Sequence, residues 1–189
     1  MKRVVIMAML ALLVACAGGG EGSDKENEAK ELTVEQGKAK MLNDIATMET
    51  DLTSNLDVTK PLQKNKAEDL LRKYRDYANI NPRDSITPHY LLKAADLSIG
   101  LGKFDHAVGY LDNVLKNHPT YEKRIEAMLL KGFVLEYHMN QHAQAVSAYK
   151  ELIHAYPNHR LAKDAQASIE NLTLTEDQLI EKLKKAQKQ

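Results

Sequence analysis

Seven histidines and a single cysteine, Cys16, are the residues of this 189-residue chain that most invite chemistry. One thiol allows no internal disulfide. Metal binding is the first chemistry to weigh, because imidazoles at helical spacing can share an ion. His138 and His142 are four residues apart, but Asn140 between them marks a helix boundary, so the two rings need not share a face. Glu151-Leu152-Ile153-His154 is a Glu-x-x-His step of the kind that holds iron inside helical bundles. Such centres need two of these steps and two further inward carboxylates. There is one copy, and the corresponding position of the neighbouring segment is Asn113. No phosphate-binding loop, Gly-x-Gly-x-x-Gly or Gly-x-Ser-x-Gly occurs. Carboxylates and lysines follow surface patterns, such as Glu68 and Arg72 at four residues, which stabilise a solvated helix face. The expectation is no catalytic residues, no metal and no cofactor.

The N-terminus reads as an address. Met1-Lys2-Arg3 is a short basic start, and Val4 to Ala15 is an apolar run suited to a signal sequence and short for a membrane span. It ends in Leu13-Val14-Ala15-Cys16, which resembles the lipobox of bacterial lipoproteins. That resemblance implies removal of residues 1–15 and lipidation of Cys16, a stable tether because several acyl chains hold where one does not. The loss of Lys2 and Arg3 leaves 24 basic against 26 acidic residues. With formal charge balanced over the whole chain, neither nucleic acid nor a broadly basic membrane face is indicated. Residues 16–31 are Gly-rich, then charged (Gly18-Gly19-Gly20 to Glu28), and read as a flexible tether. Ala17 after the cysteine resembles the outer-membrane sorting signal. An acidic tether also suits export to the cell surface, so the expected location is the outer membrane, on its periplasmic face or outside.

Positioning falls to an internal repeat. At an offset of 38, Leu91, Leu92, Lys93 and Leu97 lie on Leu129, Leu130, Lys131 and Leu135, Ala107-Val108 on Ala145-Val146, and Pro119 on Pro157. A period of this size points to stacked helical units. Pro82, Pro119 and Pro157 follow successive helices, so the repeat extends backward. The helical domain is 32–172: a degenerate first unit 32–82, units 88–119 and 126–157, and a half unit 158–172.

Leu32 to Leu56 carries Val34, Met41, Ile45, Met48 and Leu52 on one stripe. It either packs on the repeats or, as an alternative, self-associates through helix 32–56 as a structural element; Lys38 breaks the seam and favours packing. Thr59 and Pro61 suit a helix start, and Leu62 to Ile80 forms the next helix. Helices 88–101, 104–116, 121–138 and 142–156 follow, with Gly100-Leu101-Gly102 and Asn140 at the turns. Ala94, Ala95, Ala107, Gly132 and Ala145 let paired helices approach. Thr175-Glu176-Asp177-Gln178 is a capping box that opens a last helix within 175–189. That helix is apolar on one side and polar on the other, as a solenoid cap requires.

Two stretches now carry a family resemblance: Gly102-x-Phe104-x-x-Ala107-x-x-x-Leu111-x-x-Val114-x-x-x-x-Pro119, and Asn140-x-His142-x-x-Ala145-x-x-x-Tyr149-x-x-Leu152-x-x-x-Tyr156-Pro157-Asn158. They resemble tetratricopeptide repeats (TPRs), and the later stretch is similar to the variant in envelope proteins of the BamD and CpoB (YbgF) type. The whole layout is similar to small Bacteroidota-type TPR lipoproteins. The resemblance implies an all-α, right-handed α-solenoid of about three helix pairs with a C-terminal capping helix. It implies a non-catalytic adaptor that binds an envelope protein or peptide, by analogy in outer-membrane assembly, division or secretion. The concave groove is expected along the first helix of each pair, at His89, Leu92, Lys93, Asp96, Lys131, Val134 and His138. Asp84-Ser85-Ile86 resembles an O-glycosylation acceptor on an exposed loop, with Ser85 the residue modified. His142 stands where the family usually has an aromatic residue, and the period exceeds the usual ~34 residues.

Overall fold

The computed structural model describes residues 21–54, 63–174 and 178, and side chains from Thr33 onward. The signal run, Cys16, Thr59, Pro61 and the capping helix lie outside these residues, Gln178 apart. Among the described residues there are seven α-helices and no strand: α1 Glu21–Ser54, α2 Lys64–Ile80, α3 Thr87–Gly100, α4 Phe104–Asn117, α5 Arg124–Phe133, α6 His142–Ala155 and α7 Arg160–Thr173. A π-helical segment, Val134–His138, continues α5.

Residues 21–31 belong to α1, Glu21–Ser54, and are helical where the sequence suggested a flexible tether. The chain divides into two units at Lys40/Met41. In the first, Val34, placed on the apolar stripe from sequence, is 66% exposed.

In the second unit, the helices stack through three linked cores. Ile45 of α1 packs with Leu70, Leu71, Tyr74 and Tyr77 of α2 and Tyr90 and Ala94 of α3. Ala78, Leu91, Ala95, Ala107, Leu111, Val114 and Ala127 join the end of α2 to α3, α4 and α5. Met128, Leu135, Ala145, Ala148, Tyr149, Leu152, Ala162 and Ala165 join α5 to α6 and α7. Each cluster hands over to the next along the chain, which is how a solenoid buries apolar surface that no single helix pair could hide. Small residues set the spacing: Ala94, Ala95, Ala107 and Ala145 have no exposed surface.

The turns repeat as well. Gly102 (φ 71°) and Asn140 (φ 53°) both adopt the left-handed conformation that closes a helix C-terminus. Arg124 donates to the carbonyl of Leu115 at 2.7 Å, satisfying an acceptor that the end of α4 leaves open.

The two halves of the doubled stretch do not share one offset. The turn bonds Asp84 N–H to Asn81 O and Thr87 N–H to Asp84 O recur as Tyr121 to His118 and Arg124 to Tyr121, 37 residues on. After the first helix the offset becomes 38. Lys103 N–H bonds to Ser98 O, and the counterpart, Gln141 N–H, bonds to Leu135 O. The donor has moved 38 residues and the acceptor 37, so one residue has been inserted between them. The π-helical segment lies there, where Met139 N–H reaches Val134 O. A π turn is the usual way for a helix to absorb one extra residue without breaking.

Candidate functional site

Because the inserted residue lies after Leu135, α5 itself keeps the offset of 37, and this fixes which of its residues match those of α3. At an offset of 38, Lys131 and Val134 would stand in the places of Lys93 and Asp96. At the observed 37, Ala95 matches Gly132 and Asp96 matches Phe133. Burial agrees with the latter register: Ala95 is 0% and Phe133 41% exposed, so they cannot be equivalent, whereas Gly132 is buried. Val134, expected to line the groove, is a core residue with no exposed surface. Lys131 is half-buried and pairs with Asp112 of α4 at 2.7 Å.

The remaining expected groove residues part into separate neighbourhoods. Leu92 packs against the edge of the central core. His89 lies in a loop cleft of about 670 Å³ with Arg83, Ser85, His118 and Tyr121. Burial, then the nearby Lys93 and Lys123, hold the His89 imidazole below its ordinary pKa. Ser85 is exposed in this loop, and the Asp84 side chain accepts from Ile86 N–H at 2.9 Å, which fixes the turn beside it.

Lys93 and Asp96 come together at another cleft, about 440 Å³, lined by Leu52, Leu70, Leu97 and Gly100 as well as Glu49 and Tyr74. Glu49 organises its floor. Its Oε1 accepts from the Tyr74 hydroxyl at 2.7 Å and from Lys93 Nζ at 2.9 Å. Burial first, then the Glu49 hydrogen bond, raise the Tyr74 pKa, so this phenol stays a donor. The Tyr74 ring stacks on Tyr90 at 5.4 Å. Asp96 stands at the rim, exposed, and desolvation holds its carboxyl above the usual range, against a weaker opposing influence of Lys123.

One repeat further along, at the position matching Asp96, the surface is aromatic. Phe133 is 41% and Tyr137 59% exposed, with ring centroids 4.8 Å apart. His138 stacks on Phe104 at 4.5 Å and meets Phe133 edge-on at 5.6 Å. The chain has two phenylalanines, and both are here. Sequence reasoning selected His138 and missed Phe133 and Tyr137. The signal that could have found them is the spacing of the prolines, 37 from Pro82 to Pro119 but 38 from Pro119 to Pro157.

The patch is held from beneath. The carboxylate of Glu136, 6% exposed, accepts from the Tyr149 hydroxyl of α6 at 2.7 Å. Burial, then this bond, raise the Tyr149 pKa and keep the donor protonated. The Tyr149 ring lies directly on Gly132, where no side chain could be accommodated. The π segment is thus pinned at its buried side while Phe133 and Tyr137 remain on the solvent side.

This arrangement offers apolar and aromatic surface with few converging polar groups, and so suits binding. Among the described residues no group of three or more His, Cys, Asp or Glu could hold a metal ion, and no helix is long and apolar enough to cross a membrane. A comparison with curated proteins finds no match. The family model for the tetratricopeptide repeat matches residues 126–159, which cover most of α5, the π segment and α6. That match and the stacked helix pairs support a tetratricopeptide-repeat protein, an all-α solenoid of the kind that engages other proteins.

Proposed function

We propose that this protein is a non-catalytic TPR adaptor, tethered to a bacterial envelope membrane through a lipid on Cys16, that binds a protein partner along the face made by the first helix of each pair. The observation that carries the reading is the exposure of Phe133, at the repeat position of Asp96, and of Tyr137 four residues on. Aromatic side chains are costly to leave in water, and well-anchored aromatic groups supply much of the energy of protein interfaces. The apolar cleft beside Lys93 and Asp96 continues the same face one repeat earlier. TPR grooves of this kind take an extended segment or a helix of another protein.

The test is site-specific photo-crosslinking in the native cell. A crosslinker at position 133 or 137 is expected to trap a discrete partner, while one at the exposed Lys116 or Lys150 on the second helices is not. Equal trapping at all four positions, or none at 133 and 137, contradicts the assignment. Membrane attachment is tested separately by Cys16→Ala, which should move the protein from the membrane to the soluble fraction.

A further inference from the structure

Resting on the adaptor reading, the cleft between α1, α2 and α3 also carries information on what the partner looks like. Its walls are apolar: Leu52, Leu70 and Leu97. Its charges are two carboxylates, Glu49 and Asp96, against one ammonium, Lys93. That ammonium is already engaged by Glu49 at 2.9 Å. Among the described residues Asp96 has no ion-pair or hydrogen-bond partner, and Lys123 influences it only from a distance. A carboxylate at the rim of an apolar cleft, partly stripped of water and left unpaired, is unfavourable for the chain alone. It becomes favourable when a cation arrives together with apolar surface, because each completes what the other lacks.

We propose that this cleft receives a partner segment in which a lysine or arginine adjoins a bulky apolar residue. The apolar side chain fills the space between Leu52, Leu70 and Leu97, and the cation pairs with Asp96. An acidic segment would meet like charge at Asp96 and is rejected.

The experiment uses the full-length protein in zwitterionic nanodiscs and fluorescent ten-residue peptides on a Gly/Ser background, read by anisotropy against empty nanodiscs. The three probes carry Arg-Leu, Glu-Leu or Arg-Ser at the centre. Arg-Leu is expected to bind about tenfold or more tightly than either other peptide, the size of one charge-assisted pair. Asp96→Asn should erase the preference for Arg-Leu over Glu-Leu, and Asp96→Lys should reverse it. The inference is overturned if Arg-Leu does not bind, if Arg-Ser binds as well as Arg-Leu, or if the preference survives both variants. A self-complex seen by light scattering and dispersed by Asp96→Lys would make the occupant a second copy and also overturn it. Crosslinking from positions 133 and 137 separates the two readings. A partner trapped there with no peptide preference removes this inference and leaves the adaptor standing, whereas no trapped partner removes the adaptor itself.

Discussion

Gly132 gives the sharpest physical test of the packing beneath the aromatic patch. A Cβ at this position would meet Tyr149 Cδ1 at 2.6 Å and Cζ at 2.8 Å, with Cε1 closer still. The ring has no free direction to retreat, since Tyr149 is 1% exposed and its hydroxyl is tied to Glu136. Overpacking of a tight core costs roughly 1–3 kcal/mol. If the ring moves, the hydrogen bond to the carboxylate goes too, a further ~1.5–3 kcal/mol. Against this, Ala gains up to about 1 kcal/mol over Gly in a helix. Gly132→Ala should therefore destabilise the protein by about 2–4 kcal/mol, or a melting temperature lower by roughly 5–15 °C. Gly109 in α4 is the internal control, because nothing lies within 4 Å of a Cβ built there. Gly109→Ala should be neutral or stabilising by up to about 1 kcal/mol. Thermal and urea unfolding followed by circular dichroism measure both. A Gly132→Ala protein as stable as the parent would refute the claim that the Tyr149 ring packs tightly on Gly132 beneath the patch.

Other outcomes follow from the same geometry. Tyr149→Phe keeps the ring and removes the donor to buried Glu136, and should cost about 1.5–3 kcal/mol in urea unfolding, with Glu136→Gln costing less because an acceptor remains. Leu111, fully buried in the central core, should cost roughly 2–5 kcal/mol as Leu111→Ala, and a smaller loss would mean that the core collapses around it. Asp96 has a raised folded pKa, so ionising it opposes folding as pH rises through the carboxyl range. Asp96→Asn should thus be as stable as the parent or more so at neutral pH, with the difference vanishing in acid, where the parent carboxyl is protonated. A destabilised variant at pH 7 would show that Asp96 serves the fold.

Much of the architecture was legible because helices write their boundaries locally. Pro82, Pro119 and Pro157 after helices, Gly102 and Asn140 in left-handed turns, and small residues at the crossings each have one physical reading. Register within α5 was not legible from side-chain identity. Leu129-Leu130-Lys131 repeats Leu91-Leu92-Lys93 at 38 residues, yet these triplets occupy positions one step apart on their helices. A single inserted residue turns a helix face by about 100°, since a turn takes 3.6 residues. Reading α5 at an offset of 38 where it keeps 37 therefore exchanged the faces of Val134, which is buried, and Phe133, which is exposed. Identity matching cannot see a π turn, whereas burial and hydrogen-bond partners do. The helicity of residues 21–31 escaped for another reason: the glycines among residues 18–22 outweighed the charged residues after them in a compositional reading.

The central claim of the proposal is that the partner docks on the exposed aromatic pair Phe133 and Tyr137. Titration calorimetry of the partner trapped at positions 133 and 137, against the parent protein and the Phe133→Ala/Tyr137→Ala double variant, tests it most directly. With helicity and melting unchanged, the account predicts affinity weakened by about thirtyfold or more, the loss of one interface hot spot of ~2 kcal/mol or greater. An unchanged affinity in a folded double variant would contradict it.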